Sequence, residues 1–198
     1  VCHPLFHISA LWTIFTLFYL GNSCVLMKSF DAHSLLETVE NEKVTSLALA
    51  SPLVIALLHE PDINKFNFSS LRVLLYAGTP LPAEMLKKAI GVFWKVLYGC
   101  YSLTEAVTCV TVLRPDDQVT EGSPDLIKRL SSCGRESLNI EVRVMDEDGR
   151  PVSPGQIGEI TVRGDSIMKG YWNQPTRTAE ALKNGFLFTG DLATVDES

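Results

Sequence analysis

The chain has 198 residues, which is enough for one large domain or two small ones with a hydrophobic core. With 46% hydrophobic and 20% charged residues, its composition is that of an ordinary globular protein and excludes a disordered chain. The net charge of −6, without any cluster of lysine or arginine, argues against nucleic acid or an anionic membrane as the main partner.

Cysteine usage and hydropathy bear on where the protein works. The five cysteines form no CxxC pair and lie scattered in mostly apolar runs, which is typical of reduced thiols in a cytoplasmic protein. The apolar run from Ile8 to Leu20 is 13 residues long, too short to cross a bilayer, and predicts a buried helix. We expect no transmembrane segment and no signal peptide. Because the sequence begins without Met and stops after "DLATVDES", we expect it to be a piece of a longer protein.

Helical and strand-like segments alternate over residues 1–113. Ser9 is expected to cap the first helix, and Asp31 a second helix whose apolar residues recur on one face. The further expected elements are strands at 24–27, 44–50, 71–78 and 92–99 and helices at 52–60 and 82–90. Since continuous apolar strands alternate with helices, this part predicts an α/β fold with a mostly parallel sheet covered by helices.

The pattern changes at about Pro115. Residues 134–198 predict a smaller, β-rich subdomain of hairpins, because two alternating runs are joined by Asp148-Gly149, a strong hairpin signal. A short helix at 175–183 and a strand at 185–191 are expected to complete it. We therefore expect an α/β part over 1–114 and a β-rich continuation of the same domain over 115–198.

Ligands of α/β sheets gather at the carboxyl ends of strands, where three polar stretches are expected. "YAGTPLP" contains Gly78, where a backbone can approach a planar ligand, and Thr79, which can hydrogen-bond it. "FTGD" contains Asp191, whose carboxylate can accept both hydroxyls of a ribose. Taken alone, each of these two stretches is more often an ordinary turn than a ligand site. The chain contains neither GxGxxG nor GxxxxGK[ST].

The third stretch, "GCYSLTE", follows the strand expected at 92–98. Tyr101 offers a face for a purine, and Ser102 and Thr104 can donate to phosphate oxygens. Glu105 is a hard oxygen ligand suited to Mg²⁺, which usually takes one or two carboxylates together with substrate phosphates. A capped helix start with a buried tyrosine is the alternative interpretation.

In this order, the stretches resemble the adenylate-forming superfamily of acyl-CoA synthetases, peptide-synthetase adenylation domains and firefly-type luciferases. The quoted stretch "YSLTE" (101–105) is similar to the family's Y-G-x-T-E motif, with Ser102 in place of glycine. The other matching stretches are "PLFHISAL" (4–11), "YAGTPLPAEML" (76–86), "GEITVRGDSIMKGYWNQPTRTAEAL" (158–182) and "FTGD" (188–191). The resemblance covers essentially the whole chain.

The resemblance implies that Tyr101 meets adenine, that Thr104 contacts a phosphate, and that Glu105 binds magnesium, which makes Thr104 and Glu105 the catalytic pair. The nucleotide site would also contain Gly78, Thr79, Pro80, Ser102 and Asp191, and the substrate pocket His7, Gly99 and Cys100. His7 equally suits a helix cap, and Cys100 a buried inert thiol. The family's phosphate loop and its C-terminal domain with a catalytic lysine are expected to lie outside this chain.

The resemblance therefore implies a parent enzyme that uses ATP and Mg²⁺ to convert a small-molecule carboxylate, fatty or aryl, into an acyl-adenylate and then an acyl-CoA, with CoA as co-substrate. "LFHIS" has an aromatic residue and an imidazole where amino-acid-loading domains carry an aspartate, which favours the CoA-ligase branch. Two alternatives remain open: loading of an amino or aryl acid onto a carrier protein, and a non-catalytic nucleotide-binding relic. The 198-residue piece alone is expected to be inactive.

Overall fold

A computed structural model describes residues 1–107 and 109–196. The chain divides into two units: unit 1 comprises Val1–Ser102 and Thr111–Arg135, and unit 2 comprises Leu103–Val110 and Glu136–Ser198. The helices are α1 (Ile8–Tyr19), α2 (Ala32–Asn41), α3 (Ser51–Leu58), α4 (Ala83–Phe93), α5 (Pro124–Lys128) and α6 (Pro175–Ala181).

A five-stranded sheet has the order β1-β2-β3-β4-β5. Its strands are β1 (Ser46–Ala50), β2 (Val73–Ala77), β3 (Leu97–Ser102), β4 (Cys109–Leu113) and β5 (Arg135–Glu136). The first three pair in parallel, in a register that sets Ala50 beside Ala77 and Ala77 beside Cys100. The expected α/β class is confirmed.

The core of unit 1 consists of apolar side chains from these strands and from α2, α3 and α4. Asp31 caps α2, as predicted, by accepting a hydrogen bond from the Ser34 amide at 2.8 Å. Leu35, Leu36 and Val39 are buried on one face of that helix, also as predicted. Helix-period burial of this kind fixes α2 against the sheet-bearing core.

Three expectations for unit 1 are wrong. Residues 24–27 form no strand, because their backbone pairs only with Val1, and a single residue cannot make a ladder. The helix α1 is not buried: Phe15 is 67% exposed and Phe18 64%, since no described element covers that face. The strand expected at 92–99 is β3 instead, because α4 continues to the buried Phe93.

Unit 2 contains a four-stranded antiparallel sheet in the order β6-β7-β9-β8. Its strands are β6 (Ile140–Met145), β7 (Gly158–Gly164), β8 (Leu182–Lys183) and β9 (Phe186–Ala193). The hairpin predicted around Asp148-Gly149 is present as the β6–β7 pair. Its connection is longer than a tight turn, because the chain turns at Gly149 and bridges back from Pro151 to Met145 before β7 begins.

The cysteines differ in state. Cys2, Cys24 and Cys133 are free, whereas Cys100 and Cys109 are in the disulfide form. The expectation of reduced thiols is therefore wrong for two of the five, because only short spacings such as CxxC signal a pair in sequence. Over the described residues, no helix has the length and hydrophobicity needed to cross a bilayer.

Gln118 provides a test of this packing. Its buried amide donates to the carbonyl oxygens of Leu97 and Leu113, at 3.0 and 3.1 Å. Gln118→Glu should lower the free energy of unfolding by about 2–4 kcal/mol at pH 8, because a carboxylate cannot donate to either carbonyl. The loss should shrink in acid, where protonation restores one donor.

The control is Gln156→Glu, which makes the same charge change at an exposed residue whose side-chain oxygen only accepts. Urea unfolding should place this control within about 0.5 kcal/mol of the parent protein. Equal destabilisation by the two substitutions would show that the buried donor at Gln118 contributes nothing.

Candidate nucleotide site

The turn after β2 carries Gly78, Thr79 and Pro80, all exposed. It lies at the carboxyl end of a parallel strand, as the sequence predicts. Ser51, a buried residue at the start of α3, anchors it: the hydroxyl donates to the carbonyl of Thr79 at 2.6 Å and reaches that of Ala77 at 3.3 Å. Sequence reasoning missed this anchor, although a serine directly before a helix-opening proline was its available signal.

Gly99, Cys100, Tyr101 and Ser102 lie within β3, not after it as predicted. Gly99 is paired with Tyr76 on β2, and a Cβ on Gly99 would lie 2.6 Å from the Tyr76 hydroxyl oxygen. Only glycine leaves room for that ring. Burial raises the pKa of Tyr76 to about 12, so the phenol stays neutral. No sequence pattern predicted that the ring of Tyr76 would cover Gly99.

The same register explains why these stretches lie at one edge of the sheet. Ala77 pairs with Cys100, so Gly78 and Tyr101 are the next residues along two adjacent parallel strands. Unit 1 therefore brings the 78–80 turn and the end of β3 together. Their roles toward a nucleotide stay predictions.

His7 caps α1. Its Nδ1 accepts a hydrogen bond from the Ser9 amide at 3.2 Å and lies 2.8 Å from the Ser9 hydroxyl, so the helix-cap interpretation of His7 is confirmed. The prediction that Ser9 is the cap is wrong, because its amide is the group being capped. Ser9 also bonds His3, whose pKa is lowered by burial and by the neighbouring His7. The role of His7 toward a substrate stays a prediction.

Thr104 and Glu105 lie in unit 2, on a single 3₁₀ turn. Thr104 is exposed and Glu105 half-buried. The hydroxyl of Tyr171 donates to Oε1 of Glu105 at 2.8 Å, and the Met168 amide donates to the Glu105 carbonyl at 2.7 Å. Oε2 takes no hydrogen bond from any described residue. One carboxylate oxygen is thus held while the other stays open to a ligand.

Two features of this turn were not foreseen. The hydrogen bond to Glu105, with burial second, raises the pKa of the Tyr171 hydroxyl, which therefore remains a donor at neutral pH. Val107 has φ 65°, a left-handed conformation that costs a β-branched residue about 1–2 kcal/mol. Backbone strain of this kind clusters at functional sites. Tyr171 lies in "KGYWNQP", inside the matching stretch 158–182, but nothing in that stretch predicts its contact with Glu105.

Asp191, also in unit 2, lies in a bulge within β9 and not at a strand end as predicted. Residues 189–191 stand opposite Ile160 alone, because Phe188 pairs with Thr161 and Leu192 with Glu159. Gly190 has φ 80°, and its amide donates to Oε1 of Glu159 at 2.7 Å. Bulges re-aim side chains and are common beside active sites. The bulge leaves Asp191 exposed.

Comparison with known proteins decides the family. Residues 1–172 match the model of the AMP-binding enzyme family. The chain belongs to that family. The chain is 36% identical over 196 residues to the medium/long-chain-fatty-acid–CoA ligase FadD8 of Mycobacterium tuberculosis, in a match that covers 99% of this chain and 33% of the relative. It is also 36% identical over 197 residues to feruloyl-CoA synthase of Amycolatopsis sp, which covers 99% of this chain and 38% of the relative.

A solved structure extends this likeness to the fold. The chain matches the structure of o-succinylbenzoate coenzyme A synthetase of Bacillus subtilis in complex with ATP and magnesium ion, with a TM-score of 0.87 at 28% identity. That match covers 100% of this chain and 39% of the other. The chain thus spans between 33% and 39% of the length of these three relatives.

The bulge in β9 can be tested through Glu159. Glu159→Ala removes the acceptor of the Gly190 amide and should speed its hydrogen exchange by about two- to tenfold. Glu159→Gln keeps an oxygen acceptor and should stay within about twofold of the parent protein. Exchange followed by mass spectrometry over residues 186–193 measures both. Identical exchange in the two variants would contradict the role of Glu159.

Proposed function

We propose that the parent protein is an ATP- and Mg²⁺-dependent ligase that joins a carboxylic acid, fatty or aryl, to CoA through an acyl-adenylate. The observation that carries this proposal is Glu105, whose carboxylate has one oxygen held by Tyr171 and the other open. Family membership and the names of the two relatives, one acting on fatty acids and one on a feruloyl group, support the substrate class.

The residues of unit 1 would bind the base and the acid. Tyr101 would stack on adenine, with Gly78, Thr79 and Pro80 beside it and Ser102 donating to the nucleotide. His7, Gly99 and Cys100 would line the pocket for the carboxylate substrate. Since the ring of Tyr76 covers Gly99, the pocket would be closed on that side.

The residues of unit 2 would bind the sugar and the phosphates. Asp191 would accept hydrogen bonds from the ribose hydroxyls, and Thr104 would donate to a phosphate oxygen. Glu105 fits a magnesium ligand, because it is a hard oxygen donor on a fixed turn. The described residues contain no group of three or more acidic, His or Cys side chains able to hold a metal ion, so phosphate and water oxygens would complete the shell. Magnesium, when bound, supplies charge neutralisation on the phosphates.

Two steps follow from this arrangement. A carboxylate oxygen of the substrate attacks the α-phosphorus of ATP in line, and the bond to pyrophosphate breaks. The thiolate of CoA then attacks the acyl carbonyl, and AMP leaves. The chain's own residues would act mainly by positioning and by stabilising charge. We further propose that the phosphate loop and the catalytic lysine lie in other parts of the parent protein, so that residues 1–198 alone do not catalyse the reaction. We also propose that the parent protein works in the cytoplasm.

A panel assay of the full-length protein tests this function. Pyrophosphate release should depend on the acid offered, among fatty acids of several lengths and aryl propenoic acids, and an acyl-CoA should form when CoA is present. A carrier protein should not replace CoA. The proposal fails if every acid in the panel is inert, or if acyl groups pass to the carrier protein and not to CoA.

Glu105→Gln keeps the shape of the side chain but removes its charge. Adenylate formation by the full-length protein should fall by roughly 10²–10³, which is about 2.7–4 kcal/mol in the barrier. The control is Glu84→Gln, because Glu84 is exposed on α4 and, among the described residues, its ion pair is with Lys87. A folded Glu105→Gln protein as active as this control would remove Glu105 from the site.

Asp191→Ala should raise the KM for ATP by about tenfold or more, because two hydrogen bonds from the ribose to a charged acceptor are lost. The KM for the acid should change little. Asp148→Ala, on an exposed turn where Asp148 pairs with Arg150, serves as the control. Initial-rate kinetics measure both constants, and a change confined to the acid would contradict the ribose assignment.

A further inference from the structure

We propose that Tyr171 is a positioning residue for the metal-binding carboxylate: its hydroxyl holds one oxygen of Glu105 so that the other is left for the magnesium–nucleotide complex. This inference rests on the proposed function of Glu105. It adds a residue that lies 66 positions away in sequence, inside the matching stretch 158–182, to whose residues the resemblance assigns no role.

The first support is that Glu105 is held twice by one segment. The Tyr171 hydroxyl donates to its side chain at 2.8 Å, and the Met168 amide donates to its carbonyl at 2.7 Å. The intervening chain is itself turned, since the Ile167 amide donates to the carbonyl of Gly164 at the end of β7. Hydrogen bonds therefore tie both the backbone and the carboxylate of Glu105 to the segment that follows β7.

The second support is that Tyr171 is fixed independently of Glu105. Its amide donates to the hydroxyl oxygen of Thr178 at 2.9 Å, and that hydroxyl donates to the Gln174 carbonyl at 2.9 Å. The guanidinium of Arg177 lies 5.0 Å from the centre of the Tyr171 ring, within the range of a cation–π contact. The first turns of α6 thus hold the ring before any ligand binds.

The third support is chemical. A phenol is a neutral donor, so it orients a carboxylate and leaves the negative charge that a metal needs. A lysine or arginine in its place would cancel that charge. Removing a group that orients a metal ligand in this way typically changes metal affinity or activity by about 10- to 100-fold.

Tyr171→Phe in the full-length enzyme is the test. Acid-dependent pyrophosphate release is measured against Mg²⁺ concentration at fixed ATP. Direct binding of Mn²⁺ to the protein–ATP complex, followed by its electron paramagnetic resonance signal, is measured beside it and should weaken by a similar factor. The half-saturating Mg²⁺ concentration should rise by about tenfold, whereas the rate at saturating Mg²⁺ should fall by less than about threefold. The control is Trp172→Phe, because Trp172 is the adjacent residue and is 95% exposed. It should leave both quantities unchanged.

A double variant separates this inference from the function on which it rests. If Tyr171 acts only through Glu105, Tyr171→Phe should cause no further loss in a Glu105→Gln background. An unchanged Mg²⁺ dependence in Tyr171→Phe, or an equal loss of rate at every Mg²⁺ concentration, overturns the positioning role while an impaired Glu105→Gln leaves the proposed function intact. If Glu105→Gln is also fully active, the metal assignment itself fails, and the role of Tyr171 fails with it.

Discussion

Parallel pairing of β1, β2 and β3 is the constraint on which unit 1 depends. The buried residues of the three strands share one core with α2, α3 and α4, so their register is set by the core and not by local turns. With Ala77 beside Cys100, the polar turn at 78–80 and the end of β3 must share one edge. The parallel register of the sheet, and not a loop motif, brings Gly78 beside Tyr101 at this edge.

Unit 2 places its polar residues by a different device. Its sheet is antiparallel, and the pairing of β7 with β9 is interrupted by the bulge at Asp191. The Gly190 amide in this bulge donates a hydrogen bond to the carboxylate of Glu159. Glu105 comes from a short turn that is tied to the segment after β7 by two hydrogen bonds. Glu105 on its turn and Asp191 in its bulge thus lie on irregular backbone that neighbouring strands hold in place. A functional site needs rigid support of this kind.

Local patterns predicted much of the fold. The cap at Asp31 and the buried face of α2 follow from neighbours three and four residues apart, so they are visible in sequence. The face of α1 was not predictable in the same way: Phe15 and Phe18 have the spacing of a buried helix, yet burial requires an element to cover them. The end of α4 was missed because "VFWKV" has the β-branched and aromatic residues of a strand.

The candidate site shows the same division. Motif order indicated Tyr101, Glu105 and Asp191 because these residues lie in two short local stretches, "GCYSLTE" and "FTGD". The long-range contacts of the site were not predicted: Ser51 reaches the 78–80 turn 28 residues away, and Tyr171 reaches Glu105 over 66. No periodicity encodes such pairs. They arise only once strands have set the distance between segments.

In the proposed site, Glu105 binds the metal of a nucleotide complex while Tyr171 holds its other oxygen. Anomalous diffraction of Mn²⁺ in crystals of the full-length protein with ATP and a non-reactive acid measures this arrangement. We expect a manganese peak coordinated by Glu105 and by phosphate oxygens, with the Tyr171 hydroxyl still bonded to Oε1. A manganese ion held by the phosphates with Glu105 out of coordinating reach would contradict it.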